Sequence, residues 1–225
     1  MTRVLLVDDE PMTREILKDY LGSDPSIEVV GEAADGLAAA KQATALSPDV
    51  ILMDMQMPRA DGVQATAAIH TRHPEIRILG LTTFATDRYV VDLLRAGASG
   101  YLVKDTKPQE IIAAVHAVAN GDSVLSPEVT RFVVKGLEES VPSHVQPDEQ
   151  LLAALSDKEL EVIQLLARGK NNREMSQELF VTESTIKARF VKIMEKLGVR
   201  DRVQILVLAA QNGLVDLGKN PSSLA

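Results

Sequence analysis

The chain has 225 residues, of which 45% are hydrophobic and 25% charged. That length accommodates one large domain or two small ones, and it contains no cysteine, which excludes disulfides and zinc sites with cysteine ligands. The net charge of −8 resides in residues 1–145, with 13 Lys and Arg against 21 Asp and Glu, whereas residues 146–225 hold 11 of each. Neither part is a basic domain, so any nucleic-acid binding must come from local clustering of positive charge.

The amino terminus is not typical of an exported protein. The segment MTRVLLVDDE has a short apolar run followed by three acids, whereas a secretory signal needs about 7–15 apolar residues. No apolar run in the sequence approaches the roughly 18 residues of a membrane span. We therefore expect a cytoplasmic protein that does not contact a membrane.

Five short apolar runs alternate with segments of helical periodicity. The runs are Val4–Val7, Val29–Val30, Val50–Met53, Ile76–Leu81 and Tyr101–Val103. Strands that alternate with helices of this length predict βαβ units and a parallel sheet. The second run is the least apolar, which is typical of an edge strand. We predict an α/β domain of five strands and five helices over residues 1–120.

The chain changes character after residue 120. Ser126, Pro127 and Glu128 form a favourable helix start, since they combine an N-cap residue, a proline at the first helical position and an acid near the positive end of the helix dipole. The stretch 138–150 holds two prolines and few apolar residues, which predicts a linker. Beyond it the pattern is helical throughout. We predict a linker with a short helix at 121–150, an all-helical domain at 151–217 and a tail at 218–225.

Polar residues follow four of the apolar runs at the point where each strand ends. They are Asp8 and Asp9 after the first run, Asp54 after the third, Thr82 after the fourth and Lys104 after the fifth. The carboxyl ends of strands in an open α/β sheet line the crevice where ligands bind. With a strand order of 2-1-3-4-5, Asp54 is central among these residues. A single aspartate after a strand is usually a helix cap, and we interpret Asp35, Asp61 and Asp87 as caps.

The combination of residue types at this edge predicts phosphoryl chemistry. Three close carboxylates repel one another, and a divalent cation such as Mg²⁺, which prefers oxygen ligands and phosphate, relieves the repulsion. A carboxylate can also attack a phosphoryl group and form an acyl phosphate. Thr82 is suited to donate a hydrogen bond to a phosphoryl oxygen, and Lys104 is suited to neutralise another.

The segments LLVDDE, ILMDMQMPRADG, ILGLTTF and GYLVKD resemble, in order and spacing, the signature of receiver domains of two-component response regulators. The resemblance spans roughly residues 2–120 and implies a flavodoxin-like five-stranded parallel sheet. It implies that Asp54 accepts phosphate from a sensor histidine kinase, and that Asp8, Asp9, Asp54 and the backbone carbonyl of Gln56 hold Mg²⁺. It also implies that Thr82 and Lys104 bind the phosphoryl group, and that Thr82 and Tyr101 form a conformational switch.

Two residues depart from the receiver pattern. Asp105 follows the lysine where many receivers have a proline after a cis bond; since a cis bond before a non-proline residue costs about 3–4 kcal/mol, we expect a trans bond here. Thr83 stands where a small residue such as alanine is common, which would alter the access of a phosphatase.

Four helices are predicted in the carboxyl-terminal part. Ser156 to Glu159 has the spacing of a capping box, Asn171 or Asn172 caps the second helix, Thr182 opens the third and Asp201 opens the fourth. Only Phe180 and Val181 join the second helix to the third. So tight a connection is typical of a helix-turn-helix, whose second helix enters the major groove of DNA.

The third helix has an apolar stripe and an opposite polar face. Ile186, Phe190, Ile193 and Leu197 form the stripe. Small side chains between two lysines dominate the other face, where the helix can approach base edges and the lysines can contact bases or phosphates. The candidate DNA contacts are Ser184, Thr185, Lys187, Ala188, Arg189, Val191 and Lys192.

The segment LSDKELEVIQLLARGKNNREMSQELFVTESTIKARFVKIMEKLGVRDRVQ is similar to the LuxR-type helix-turn-helix of NarL/FixJ-type response regulators. The likeness covers about residues 155–214. It implies that helix 182–197 is the recognition helix, that Lys187 contacts DNA and that helix 201–212 is a dimer interface. Family members commonly have a histidine where this chain has Arg189. Because arginine adds a permanent charge at this position, the DNA sequence that the helix recognises stays open.

These observations predict a phosphorylation-dependent DNA-binding transcriptional regulator, not an enzyme. Its partners would be a sensor histidine kinase, double-stranded promoter DNA and, on activation, a second copy of the chain. One alternative is a phosphatase with an aspartyl nucleophile, although Gln56 stands where such an enzyme needs a second acid. The other is a module whose helical part binds protein rather than DNA.

Overall fold

The computed structural model describes residues 1–57, 61–82, 87–122, 124–125, 130, 133, 136 and 149–215, without the side chains of residues 87–89 and 150. The chain divides into two compact units, Met1–Val124 and Leu125–Ala225. Most of the helix predicted to start at Ser126, and all of the predicted tail at 218–225, lie outside the described residues. None of the described helices has the length and apolar character needed to cross a bilayer.

The first unit contains a five-stranded parallel sheet. Its strands are β1 (Thr2–Val7), β2 (Ile27–Ala33), β3 (Val50–Asp54), β4 (Arg77–Thr82) and β5 (Gly100–Val103). Their order is β2-β1-β3-β4-β5, and all four neighbouring pairs are parallel. The predicted flavodoxin-like sheet, its strand order and the edge position of β2 are therefore confirmed.

Five helices cover the two faces of this sheet. They are α1 (Pro11–Gly22), α2 (Gly36–Leu46), α3 (Gly62–Arg72), α4 (Asp87–Arg95) and α5 (Pro108–Ala119). Side chains alternate along a strand. Val4 and Leu6 therefore belong to a core with α1 and α5, whereas Leu5 and Val7 belong to a core with α2 and α3. Because both faces are covered, the inner strands β1, β3 and β4 are mostly continuous apolar runs rather than alternating ones.

Helix caps fix where two of these helices begin. The side chain of Asp35 accepts a hydrogen bond from the backbone of Ala38 at 2.8 Å, and that of Asp61 accepts one from Gln64 at 2.8 Å. Both aspartates are thus N-caps, as predicted, and satisfy amide groups that have no partner within the helix. The side chain of Asp87 lies outside the described part of the chain.

The second unit is helical over its described residues. Its helices are α6 (Glu149–Ala154), α7 (Asp157–Ala167), α8 (Asn172–Glu178), α9 (Glu183–Leu197) and α10 (Arg202–Gln211). The four predicted helices are present as α7 to α10, and α6 precedes them. Ser156 and Glu159 form the predicted capping box, and Asn171 rather than Asn172 caps α8.

Helix α9 packs its apolar stripe against the other helices of this unit. Ile186, Phe190 and Ile193 are buried, and the guanidinium of Arg202 from α10 stacks 4.1 Å from the centre of the Phe190 ring. Arg202 also donates a hydrogen bond of 2.9 Å to the side chain of Asn172 at the start of α8. Arg202 on α10 therefore contacts both helices of the helix-turn-helix, α8 and α9.

Candidate functional site

Three carboxylates meet at the carboxyl ends of β1 and β3. Asp54 is the last residue of β3, and Asp8 and Asp9 follow β1 directly. Val7 pairs with Met53 in the β1–β3 register, so the next residues, Asp8 and Asp54, lie side by side at the carboxyl ends of the two strands. Each of the three aspartates has an oxygen within 4.8 Å of the others; Asp8 and Asp54 are buried and Asp9 is exposed. The predicted convergence of these three residues is thus present in the fold.

Lys104 pairs with two of these carboxylates. It follows β5, and its backbone amide donates a hydrogen bond of 2.8 Å to the carbonyl of Thr82. Its Nζ lies 2.7 Å from Asp8 Oδ2 and 3.0 Å from Asp54 Oδ2. A cation therefore lies between two buried anions, whereas the strand-end pattern predicted only that Lys104 would share this edge and neutralise a phosphoryl oxygen.

Burial and ion pairing act in opposite directions on the titration of this pocket. Burial raises the pKa of Asp54, and it outweighs the opposing effects of Lys104 and of the Gln56 amide, which donates to Asp54 Oδ1 at 3.2 Å. Burial by itself would lower the pKa of Lys104, but hydrogen bonds to Asp8 and Asp54 raise it above its ordinary value. Lys104 is therefore a permanent cation at neutral pH, whereas the charged form of Asp54 is destabilised by its surroundings.

Arg14 on α1 contacts the backbone of the pocket, a role that was not expected from the sequence. Its Nη1 donates a hydrogen bond of 2.6 Å to the backbone carbonyl of Asp8, and its Nε lies 3.3 Å from Glu32 Oε2 on β2. Lys18 also pairs with Glu32 at 2.9 Å, and the hydrogen bond from Lys18 is the main reason that the pKa of Glu32 is lowered. This group ties α1 to β2 and fixes the backbone that presents Asp8. The only local sequence signal is the spacing of Arg14 and Lys18 by one helical turn.

Gly62 allows α3 to approach the end of β3 closely. It is the first residue of α3, and a Cβ there would collide with the carbonyl oxygen of Asp54 and the Cα of Met55. Only glycine allows this approach of the helix to the end of β3. The sequence analysis did not identify this role, since the contact is tertiary and its one signal is a glycine directly after the cap Asp61.

The donor set fits a hard divalent cation. In octahedral Mg²⁺ sites the metal–oxygen distance is about 2.0–2.1 Å, so ligand oxygens across the ion lie about 4 Å apart. The oxygens of Asp8, Asp9 and Asp54 lie within 4.8 Å of one another. The exposure of Asp9 gives access from solvent. Carboxylates at this separation match the ligand preferences of Mg²⁺ better than those of a softer metal.

The exposed face of α9 is the second candidate site. Ser184, Lys187, Ala188, Val191 and Lys192 are exposed, while Thr185 and Arg189 are half-buried. Thr182 caps the helix, and its Oγ1 lies 2.8 Å from the hydroxyl of Ser184 and 2.9 Å from that of Thr185. The two lysines form no ion pair with any residue that the structure describes.

Two family models match these two units. The model for the response regulator receiver domain matches residues 4–116, and the model for bacterial regulatory proteins of the luxR family matches residues 153–209. The chain belongs to the response regulators of the LuxR type. Its amino-terminal unit is a receiver domain, and its carboxyl-terminal unit is a LuxR-type DNA-binding domain.

Several relatives match this chain over nearly their whole length. The transcriptional regulatory protein LiaR of Bacillus subtilis is 41% identical over 216 residues, which are 96% of this chain and 100% of LiaR. The response regulator protein VraR of Staphylococcus aureus is 38% identical over 213 residues, or 95% of this chain and 98% of VraR. The crystal structure of the response regulator ChrA, from a heme-sensing two-component system, covers 95% of this chain and 98% of ChrA with 35% identity and a TM-score of 0.50.

The remaining receiver residues lie where the sequence places them, and their roles stay predictions. Thr82 is buried at the end of β4 and Tyr101 is buried on β5. The bond between Lys104 and Asp105 is trans, and no peptide bond among the described residues is cis. Thr83 lies outside the described residues.

The helix-turn-helix differs from the prediction in the length of its connection. Helix α8 ends at Glu178 and α9 begins at Glu183, so four residues join them instead of Phe180 and Val181 alone. Leu179 and Thr182 are the C-cap and N-cap, and cap residues do not have full helical geometry. Phe180 has a φ of 52° in the left-handed region, which turns the chain sharply enough for α9 to follow α8 at an angle.

Arg189 lies half-buried at the border of the apolar stripe of α9. Its Nη1 is buried and has no hydrogen-bond partner among the described residues. A buried guanidinium nitrogen without an acceptor is costly.

Proposed function

We propose that this response regulator accepts a phosphoryl group on Asp54 and binds promoter DNA through α9. The observation that supports this most strongly is the position of Lys104, within 3.0 Å of two buried carboxylates at the sheet edge. In the phosphotransfer, an oxygen of Asp54 attacks the phosphorus of a phosphohistidine on a sensor kinase. A phosphorus–oxygen bond forms, the phosphorus–nitrogen bond breaks, and the released imidazole nitrogen takes up a proton.

The pocket residues have distinct roles in this proposal. Asp8, Asp9, Asp54 and the backbone carbonyl of Gln56 would hold Mg²⁺, which when bound supplies positive charge to the phosphoryl oxygens. Lys104 stays protonated and exchanges its contact with Asp54 for one with a phosphoryl oxygen. Thr82 donates its hydroxyl to another oxygen. Burial destabilises Asp54 as a free carboxylate, and the acyl phosphate carries more negative charge still, which is why the charge of Lys104 beside it matters.

The proposed output is a change in the binding of DNA. Thr82 and Tyr101 form the switch that responds to the phosphoryl group. The change then favours dimers through the helix at residues 201–212, so that two copies of α9 meet two half-sites on the duplex. Phosphorylation can shift this equilibrium only by its differential free energy between the two states.

The candidate contacts divide by chemistry. Lys187 and Lys192 are suited to phosphates or guanine edges, and Arg189 to a phosphate. Ser184, Thr185, Ala188 and Val191 lie where α9 would face the bases. We further propose that the protein acts in the cytoplasm, and that it has no separate enzyme substrate, since Gln56 replaces the second acid of an aspartyl phosphatase.

Intact-protein mass spectrometry tests the first step. The full-length chain is incubated with acetyl phosphate and Mg²⁺, beside the variants Asp54→Asn and Asp19→Asn, the latter an exposed aspartate of α1. We expect one added phosphoryl group on the wild type and on Asp19→Asn, and none on Asp54→Asn. Equal labelling of Asp54→Asn would overturn the assignment of the phosphoacceptor. Rapid multiple turnover of a phosphomonoester would favour the phosphatase instead.

A further inference from the structure

Val191 is exposed without a structural reason. Among the described residues of the second unit, the large hydrophobic side chains that are exposed are Phe180 and Val191, and half of Val191 is accessible to solvent. It lies in the third turn of α9, on the side opposite to the buried Phe190 and Ile193. A β-branched residue in the exposed middle of a helix is less favourable than alanine. Folding therefore does not account for a valine at this position.

Val191 and Ala188 form a short apolar strip on the exposed face of α9. Ala188 is exposed one turn earlier on the same face, and Ser184 lies one turn before that. Lys187 and Lys192, both exposed, flank the strip. Glu195 is exposed one turn beyond Val191. Because its carboxylate repels the phosphates of DNA, only the part of this face that precedes Glu195 can lie against the duplex. That restriction agrees with the general use of the amino-terminal turns of a recognition helix for contacts to bases.

The major groove offers one apolar group that matches this strip. Guanine, adenine and cytosine edges present hydrogen-bond donors and acceptors there, whereas thymine also presents its 5-methyl group. Valine and alanine have no side-chain donor or acceptor. Placed against a G·C pair, they would remove water from polar groups without replacing the hydrogen bonds, which is unfavourable. Placed against a thymine methyl, they bury apolar surface on both sides.

We propose that Val191, together with Ala188, recognises a thymine methyl group, so that the DNA site has an A·T pair at the position facing Val191. This inference rests on the proposed function of α9 as the recognition helix. Val191 lies four residues after Lys187, a rise of about 6 Å along the helix, and base pairs are spaced by about 3.4 Å. The thymine therefore lies within about two base pairs of the base that Lys187 contacts.

The experiment separates the methyl group from every other property of thymine. Full-length protein treated with acetyl phosphate and Mg²⁺ selects its sites from a random duplex library, and the aligned sites give the preferred sequence. Each thymine of that sequence is then replaced, one at a time, by deoxyuridine, which lacks only the methyl group. Affinity is measured for the wild type, for Val191→Ala and for Val191→Ile, with a thymine outside the selected site as the control position.

We expect one deoxyuridine substitution to weaken binding of the wild type about fourfold, the factor for one methyl group removed from an apolar contact. Val191→Ala, which keeps only one methyl group at this position, should lose most of the preference for thymine over deoxyuridine, whereas Val191→Ile should keep it. Alanine favours the helix, so loss of fold does not explain the first result.

Two outcomes overturn the inference, and they differ in what they say about the proposed function. If a site is selected but no deoxyuridine substitution matters, or Val191→Ala keeps the whole preference of the wild type, thymine recognition by Val191 is wrong while DNA binding stands. If no sequence is selected and binding is absent, the proposed function of α9 fails and the inference fails with it.

Discussion

The ammonium of Lys104 lies 3.0 Å from the carboxylate of Asp54, and yet burial still raises the pKa of that carboxyl above its ordinary value. The proposed phosphoacceptor is therefore charged at a cost to the folded state. Functional sites are commonly less stable than the same fold could be. This relationship gives a test of the pocket that does not depend on phosphorylation.

We expect Asp54→Asn to be more stable than the wild type at neutral pH. A carboxyl whose folded pKa is raised above its unfolded value of 3.8 contributes stability at pH values below 3.8 and loses that contribution as the pH rises through the folded pKa. The advantage of Asp54→Asn should therefore grow from acid to neutral pH. Urea unfolding of the receiver unit without Mg²⁺ measures it, with Asp19→Asn as the exposed control. Lower stability of Asp54→Asn at pH 7 would contradict the electrostatic account.

Gly62→Ala should damage both the fold and the phosphorylation of Asp54. The added Cβ would collide with backbone atoms of Asp54 and Met55, and backbone has little freedom to move aside, so we expect a loss of about 1–3 kcal/mol. The matched control is Gly22→Ala at the end of α1, where a Cβ meets nothing within 4 Å and alanine should stabilise by up to about 1 kcal/mol. Urea unfolding and the rate of labelling by acetyl phosphate check both variants. A neutral Gly62→Ala would show that the close approach is unimportant.

Lys196→Met should weaken the DNA-binding domain and change its response to acid. The Nζ of Lys196 lies 2.6 Å from Glu159, whose side chain is 7% exposed and also accepts hydrogen bonds from the backbone and hydroxyl of Ser156. Burial would raise the pKa of Glu159, but these groups lower it to about 2. Removing the cation leaves a buried carboxylate with fewer partners, and we expect a loss of about 1–3 kcal/mol.

The pH dependence follows from the direction of that shift. A carboxyl whose pKa is lowered from 4.5 to about 2 stabilises the fold above pH 4.5, and the contribution disappears as the pH falls toward 2. Thermal unfolding of Lys196→Met should therefore depend less on pH in this range than that of the wild type. Lys158→Met, at an exposed position of α7, serves as the control. Identical pH profiles for Lys196→Met and the wild type would disprove the role of the pair.

The sheet and the acidic pocket could be predicted from sequence because both depend on simple periodicities. Buried parallel strands are continuous apolar runs, and the residue that ends each run lies at the same edge. Asp8, Asp54 and Lys104 meet for this reason alone. The helix starts at Asp35, Asp61, Thr182 and Asp201 followed from local capping chemistry, which needs no knowledge of tertiary structure.

Tertiary contacts were beyond the sequence patterns. The hydrogen bond from the Arg14 side chain to the backbone carbonyl of Asp8 joins a helix to a loop, and a backbone acceptor leaves no trace in side-chain periodicity. The collision that reserves position 62 for glycine is of the same kind. Helix α6 was missed because its six residues are too few for a period of 3.6 to be recognised.

The helical wheel predicted correctly which side of α9 is buried, but not how far the buried stripe extends. Ile186, Phe190 and Ile193 are buried, whereas Leu197 in the last turn is only half-buried, since helix ends extend past the neighbours that cover the middle. Thr185 and Arg189 are half-buried because they lie at the lateral border of the apolar stripe. A helical wheel gives the direction in which a side chain points, but the packing of neighbouring helices decides how much of that side chain is buried.

The measurement that tests the account most directly is the affinity of the full-length chain for a selected duplex, with and without acetyl phosphate and Mg²⁺, at one fixed salt concentration. Allosteric couplings are commonly about 5–150-fold, and we predict a gain in this range for the wild type and none for Asp54→Asn. Equal affinity of the wild type in both states, or an equal gain in Asp54→Asn, would contradict the proposal that phosphorylation of Asp54 controls DNA binding.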